Sequence, residues 1–396
     1  MNRFPETIIE IYDEEQIYNV LAPVQFKPKN AVYIGTRKLK NKKLKNNIIS
    51  CLRAMSLDTR CFFYSTDMLS IDAVIAELEN IIATFGDCAI DLTGGSEVAL
   101  VAVGMIAKEK NIPLFRYDRF TCSYKNIYNC EAADNVKAEP AFNIDAILAL
   151  SGGAMKSHGH LAIDTLDSET ERDIFRVWSI YKNNHRGWHR SVSYLQQISK
   201  DLEGRELHVD AGAVVYGNAK ISGADSEVMT ALCEAGIIRN YKNDGKRISF
   251  DYKNELMRSC LIDIGICLEL YVFAAAKSMG IYSDVQISVV VDWDGILDAR
   301  INTINEIDVV LVHGFVPIFI SCKSGTVNVT TLNEIKTLAK QFGGEYARPV
   351  LVTMSDIKNR DRFLAQRAAD MGVEIIDRAD LINERLSKRL YTVSRV

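Results

Sequence analysis

In the amino-terminal part of the chain, short apolar runs alternate with longer amphipathic stretches. Asn30 to Thr36, Arg60 to Tyr64 and Asp87 to Leu92 read as strands, and Asn47 to Met55, Ile71 to Thr84 and Val98 to Lys108 read as helices. Strands that alternate with helices of this length predict a parallel, doubly wound α/β sheet, whose ligands bind at the carboxyl ends of the strands. The middle of the chain reads differently. Asp164 to Ser179 and Arg190 to Leu202 are predicted helices separated by a solvated polar loop, Lys182 to Arg190. Gly223 to Ile237 is a helix, followed by the turn Asn243-Asp244-Gly245 and the strand Arg247 to Asp251, a sequence of elements that suggests a winged helix. After a largely apolar helix, Leu261 to Gly280, two runs rich in Val, Ile and Phe, Ile307 to Val312 and Val316 to Cys322, flank His313-Gly314-Phe315 and predict a β-hairpin. Thr331 to Phe342, Val350 to Thr353, Asp361 to Met371 and Val373 to Ile376 continue as helix, strand, helix and strand. The pattern divides the chain into 1–157, 158–257 and 258–396.

Composition narrows the reading. A chain of 396 residues, 48% of them hydrophobic, buries a substantial core and argues for two or more domains. The formal net charge of -4 does not advertise nucleic acid, so any such contact has to come from local basic patches, of which Arg239, Lys242, Lys246 and Arg247 on the winged element are one; a rigid spacer is the plainer role for that element. Nine scattered cysteines without a CxxC pair argue against a disulfide framework and fit a reducing cytosol. The acidic start lacks the apolar core of a signal peptide, and no apolar run reaches membrane-spanning length, so the expected location is cytoplasmic, with no membrane partner.

Candidate chemistry falls in two places. In the hairpin, period-two alternation puts Glu306 and Asp308 on one face and Ser321 and Lys323 on one face of the partner strand. A carboxylate and a lysine on adjacent strands suit metal-assisted phosphodiester hydrolysis, or else form a weak exposed cross-strand pair. Glu269, set within an apolar helix, is costly unless paired or metal-bound. In the amino-terminal sheet, Thr93-Gly94-Gly95-Ser96 precedes a helix, an arrangement that outlines either a phosphate cradle or an ordinary glycine turn with a serine cap. Gly35-Thr36-Arg37 ends an earlier strand in the same way, and Ser151 to Lys156 follows the apolar segment Ile144 to Leu150, with Lys38 and Lys156 nearby. His185 and His189, four apart, have the spacing of two metal ligands on one helix face, but Gly187 interrupts the helix and no acid lies near.

Gly265-x-x-Leu268-Glu269, Asn305-Glu306-x-Asp308 and Ser321-x-Lys323 together resemble the PD-(D/E)xK core of proteins that pair a CARF sensor with a restriction-endonuclease-like domain in type III CRISPR systems. The resemblance implies a Rossmann-like CARF domain, a winged-helix-like connector and a restriction-endonuclease-like α/β domain. It implies a homodimer that binds a cyclic oligoadenylate, cyclic tetra-adenylate above all, through Thr36, Arg37, Thr93, Gly94, Gly95 and Ser96. It further implies a nuclease acting on DNA or RNA, with Glu269, Asp308, Ser321 and Lys323 as catalytic positions. The departure is Ser321, which stands where the signature has Asp or Glu. Mn2+ or Mg2+ would then rest on Glu269, Asp308 and the backbone carbonyl of Cys322, with Asp294, Asp292 or Glu306 as candidates for the missing acid. Alternatively, the fold is an inactive nuclease that serves a nucleotide-responsive nucleic-acid-binding regulator.

Overall fold

The computed structural model describes residues 3–138, 140–158, 166–199, 206–216, 219–221, 223–293, 295 and 304–395. The amino-terminal half runs β1 (Thr7–Ile11), α1 (Tyr18–Phe26), β2 (Asn30–Gly35), α2 (Lys42–Ala54), β3 (Arg60–Ser65), α3 (Ile71–Phe85), β4 (Cys88–Asp91), α4 (Glu97–Lys110), β5 (Leu114–Asp118) and β6 (Ser123–Tyr128). The sheet order is β3-β2-β1-β4-β5-β6, parallel apart from β6, which is the doubly wound arrangement expected. β1 occupies the centre, where its fully buried Thr-Ile-Ile-Glu-Ile run carries an acid, Glu10. The helices begin where capping side chains allow: Ser70 accepts from the amide of Ala73, and Ser96 from that of Ala99.

Ile144 to Leu150 forms a helix, α5 (Ile144–Leu150), rather than an extended run. The next strand, β7 (Ala154–His158), leaves the amino-terminal half and pairs antiparallel with the carboxy-terminal sheet. The middle region comprises α6 (Ser168–Asn183), α7 (His185–Ser199), β8 (His208–Gly212), the small hairpin β9 (Val214–Tyr216) and β10 (Ala219–Ile221), α8 (Ser226–Glu234), β11 (Ile238–Asn243) and β12 (Arg247–Tyr252). β11, β12 and β8 make a three-stranded antiparallel sheet beside α8, the winged-helix-like element.

The stretch read as one helix divides into α9 (Glu255–Ile262) and α10 (Ile266–Met279), with Asp263 ending the first and Gly265 starting the second. β13 (Asp284–Asp292), β14 (Ile304–His313), β15 (Val316–Lys323), α11 (Val329–Gly343), β16 (Arg348–Thr353) and β17 (Glu374–Ile376) complete a sheet of order β17-β16-β15-β14-β13-β7. α10 is buried along nearly its whole length against one face of this sheet. α5 and α11 cover the other face, within an apolar cluster that runs on into α1, α2 and the amino-terminal sheet. The two halves thus share a continuous core. No described helix is long and apolar enough to cross a membrane.

Candidate functional site

The β14–β15 ladder runs from His313 opposite Val316 to Val309 opposite Ile320 and stops there. The next residues, Asp308 and Ser321, are held by a side chain instead. Oδ2 of Asp308 accepts from the amide of Cys322 at 2.6 Å, the hydroxyl of Ser321 at 3.3 Å and Nζ of Lys323 at 3.4 Å. The carbonyl of Lys323 faces the other way and accepts from Met354. Main-chain groups of successive strand residues alternate in direction, so Cys322 presents both its amide and its carbonyl to Asp308. Burial opposes the charge of Lys323, but Asp308 beside it more than offsets this and holds the ammonium above the ordinary lysine range.

Period-two alternation does not hold through Asp308. Val309 and Leu311 pack with α10, whereas Ile307 packs in the cluster on the opposite face; on β13, Ile287 and Val289 divide the same way. Between the latter two lies Ser288, fully buried at a φ of 56°. Such a left-handed residue inside a strand turns it and re-aims the side chains around it. Glu306 and Asp308 therefore do not simply share a face, as alternation predicts. The carboxylate of Glu306 takes the hydroxyl of Ser288, which draws it onto β13. Asp292 is fully buried at the end of β13, and Asp294 lies outside the described residues.

Glu269 sits in the first turn of α10, not mid-helix, and is only 7% exposed. Burial, then the charges of Asp308 and Asp263, push its carboxyl up to about 8; Lys323 pulls it down and Glu306 adds to the rise. Asp263, which the sequence reading left without a role, accepts from the amide of Gly265 at 2.8 Å. A Cβ on Gly265 would lie 3.2 Å from Oε1 of Glu269 and 3.3 Å from Oδ1 of Asp263, so this glycine keeps room for two carboxylates. The readable signal was Asp-x-Gly at a helix start, a turn in which aspartate bonds the amide two residues on.

A buried carboxyl raised by neighbouring carboxylates marks a place where a cation is welcome. The donor set fits a hard divalent ion with a thin protein shell: the carboxylates of Glu269 and Asp308, the carbonyl of Cys322, and the remainder from water or substrate. Among the described residues no three His, Cys, Asp or Glu side chains converge on one metal position.

The loops at the carboxyl ends of β1 to β4 line a second cavity, of about 970 Å³. Thr36, Arg37, Gly95 and Ser96 face it together with Lys38 and Lys40. Thr93 turns inward: its hydroxyl bonds Oδ1 of Asp91 at 2.5 Å and accepts from the amide of Tyr117 at 2.9 Å. Asp91 is buried, which pushes its carboxyl up to about 7 against the opposing bonds from Thr93. A Cβ on Gly94 would lie 2.7 Å from Cβ of Asp13, and one on Gly95 2.4 Å from Cγ2 of Ile11, so both glycines are needed for contact with the end of β1. The amide of Gly95 donates to Oδ2 of Asp13 at 3.0 Å. The phosphate cradle read from the sequence is therefore already engaged by an internal carboxylate, one that sequence reasoning missed.

The join read as a solvated loop is mostly helix. α7 starts at His185, Gly187 and Trp188 are buried, and the Nε2 atoms of His185 and His189 lie 3.1 Å apart. Burial, His189 and Arg378 hold His185 down to about 4, and burial lowers His189 as well. On the wing, Arg247 bonds Asp210 at 2.9 Å.

No protein-family model matches the chain, and no curated protein matches it. Solved structures do. The crystal structure of protein VC1899 from Vibrio cholerae aligns with a TM-score of 0.76 at 17% identity, over 98% of this chain and 99% of that one. Can2 from Sulfobacillus thermosulfidooxidans, in complex with cyclic tetra-adenylate, aligns with a TM-score of 0.66 at 14% identity, again over 98% and 99%. At these identities the likeness is one of fold, and it extends over the whole architecture.

Proposed function

We propose that the chain is a metal-dependent nuclease switched on by a cyclic oligoadenylate, cyclic tetra-adenylate in the first instance, in type III CRISPR antiviral defence. The observation that carries this reading is the convergence of Asp308, Ser321, Lys323 and the main chain of Cys322 where the β14–β15 ladder ends, with Glu269 close enough to be titrated by Asp308. Full-length likeness to a protein solved with cyclic tetra-adenylate supports the sensor half of the reading. Residues 1–157 would sense the ligand, 158–257 connect, and 258–396 cut, with β7 as the sensor's strand in the nuclease sheet.

Mn2+ or Mg2+ held by Glu269, Asp308 and the carbonyl of Cys322 would supply Lewis acidity at the scissile phosphate and a more acidic attacking water. Lys323, anchored at Asp308, places a positive charge where the pentavalent phosphate develops negative charge. Ser321 steadies the same Asp308 oxygen with its hydroxyl. In the sensor, Arg37, Lys38 and Lys40 offer cations to the phosphates of the ring, and the hydroxyls of Thr36 and Ser96 lie within the same cavity. A two-fold ligand suits two sensors, and the exposed Val101 and Met105 on α4 provide an apolar surface for pairing. The test is titration of the protein with cyclic tetra-adenylate: one ring per two chains is expected, and absence of binding refutes the sensor assignment.

The second reading, a regulator with an inactive nuclease fold, draws on Ser321. It requires that Lys323→Ala leave both nucleic-acid binding and cleavage unchanged.

A further inference from the structure

Three consecutive acids, Asp13, Glu14 and Glu15, follow the central strand β1, and each engages a different partner. Asp13 accepts from the amide of Gly95 through Oδ2 at 3.0 Å and from the amide of Glu15 through Oδ1 at 2.8 Å. Glu14 pairs with Lys38 at the cavity. Glu15 points away from the cavity into the nuclease-like half, where Oε2 accepts from the amide of Glu345 at 3.3 Å. Gly344 takes a φ of 60°, a conformation that favours glycine, and a Cβ there would lie 2.6 Å from Oε1 of Glu15, so the carboxylate would have to move aside. Two residues of this contact are reinforced nearby, since the hydroxyls of Tyr18 and Tyr346 meet at 2.7 Å and their rings pack edge to face.

The segment is held as one piece. Asn19, 1% exposed, accepts from the amide of Asp13 and donates to its carbonyl, both at 2.9 Å. Its far contact, Gly344 to Tyr346, leads directly into β16, whose residues pair with Ser321 to Lys323. A backbone amide at a glycine turn and a lysine ammonium are two groups that a phosphate would use, and here carboxylates of this chain engage them. Phosphates entering the cavity meet both a direct competitor and like-charge repulsion from Asp13 and Glu14.

We propose that Asp13-Glu14-Glu15 is an internal surrogate for an anionic ligand: its first two carboxylates occupy phosphate positions of the sensor cavity, and its third carries their displacement to the nuclease-like half. This rests on reading the cavity as a cyclic tetra-adenylate site. The ring displaces Asp13 from Gly95 and Glu14 from Lys38; the segment shifts, and the Glu15–Glu345 contact loosens.

The experiment combines affinity for cyclic tetra-adenylate with amide hydrogen exchange. Asp13→Asn with Glu14→Gln removes both charges and leaves position 13 a single acceptor oxygen for the two amides that Asp13 now binds, so the variant is expected to bind the ring about tenfold more tightly, a difference of about 1.4 kcal/mol. In the wild type, added ring is expected to speed exchange of the Gly344–Tyr346 amides; in Glu15→Gln, affinity stays within about twofold of wild type while that ligand-driven change shrinks, because the neutral amide already holds the contact loosely. Unchanged or weaker binding by the double variant, or unchanged exchange at Gly344–Tyr346 when the wild type binds, overturns the proposal alone. A wild type that binds no ring overturns the reading of the cavity, and the surrogate role with it.

Discussion

The acids of the two candidate sites are held in opposite ways. In the amino-terminal site, Asp91 and Asp13 are each met by donors: the amide and hydroxyl of Thr93 in one case and, in the other, the amide of Glu15 from the same loop and that of Gly95 from the loop after β4. Burial alone raises Asp91. In the carboxy-terminal site, Glu269 is raised by burial and also by three neighbouring carboxylates, those of Asp308, Asp263 and Glu306. The first pair organises loops beside a cavity, whereas the second group crowds around one buried carboxyl with a lysine beside it. A cation should relieve the second arrangement and leave the first unaffected.

The largest effect is expected from Lys323→Ala, which removes the charge facing the phosphate and should lower ligand-stimulated cleavage by about 10²–10³-fold. Ring binding in the sensor should not change, and a cleavage loss of less than about fivefold would detach Lys323 from the chemistry. Next come the two raised acids. Each has a folded pKa above its unfolded value, near 8 against 4.5 for Glu269 and near 7 against 3.8 for Asp91, so each favours the folded state below the unfolded value and loses that contribution as pH rises through the folded one. Glu269→Gln and Asp91→Asn should therefore gain stability over wild type between acidic pH and pH 8.5, with a ceiling on the order of 4 kcal/mol each. Urea unfolding with chelator reads this difference. Added Mn2+ should cancel the gain at Glu269, by stabilising the wild type, and leave the gain at Asp91 intact. An equal response of both variants to Mn2+ would erase the distinction.

Gly265→Ala tests the geometry around Glu269. A methyl at 3.2–3.3 Å from two carboxylate oxygens forces one of them aside, and the Mn2+ needed for half-maximal cleavage should rise several-fold, roughly the effect of 1 kcal/mol. The smallest effect, opposite in sign, belongs to Ser321→Glu. The hydroxyl of Ser321 already reaches Asp308, so a carboxylate there should lower the Mn2+ requirement a few-fold, roughly as one added charged ligand does. A preference for Mn2+ over Mg2+ should narrow at the same time. An unchanged or higher requirement in a folded Ser321→Glu protein would pass the third-acid role to Asp263, the carboxylate that shares the space beside Gly265.

The hairpin was legible because an apolar run dominates each strand beside the turn, Val309 to Val312 and Val316 to Ile320, and the turn between them is short. Strands β2, β3 and β4 of the doubly wound half were legible for the same reason, whereas β1, β5 and β6 were not read; Thr7–Ile11 contains Glu10, an acid fully inside the sheet, and so reads as part of an acidic leader. The break between α9 and α10 was hidden because α9 ends on the apolar Cys260–Ile262 and α10 is apolar along most of its length, so only the Asp263–Gly265 turn marks it. Gly187 concealed the start of α7, where a glycine serves because Asn184 packs against its Cα. That Ser321 and Lys323 share a face was read from strand alternation on β15, which holds. Alternation on β14 failed at Asp308 because the reversal is set by the backbone of Ser288 on the neighbouring strand. Asp13 was missed because its partner lies in a loop far along the chain, and no local pattern records that contact.

The central claim is that occupancy of the sensor controls chemistry at Asp308 and Lys323. The direct measurement is cleavage of plasmid and single-stranded nucleic acid by the purified chain, with cyclic tetra-adenylate and Mn2+ each present or absent. Cleavage is expected only when both are present, and it should disappear in Lys323→Ala. Cleavage that ignores the ring, or no cleavage with the ring under any divalent metal, would contradict the account.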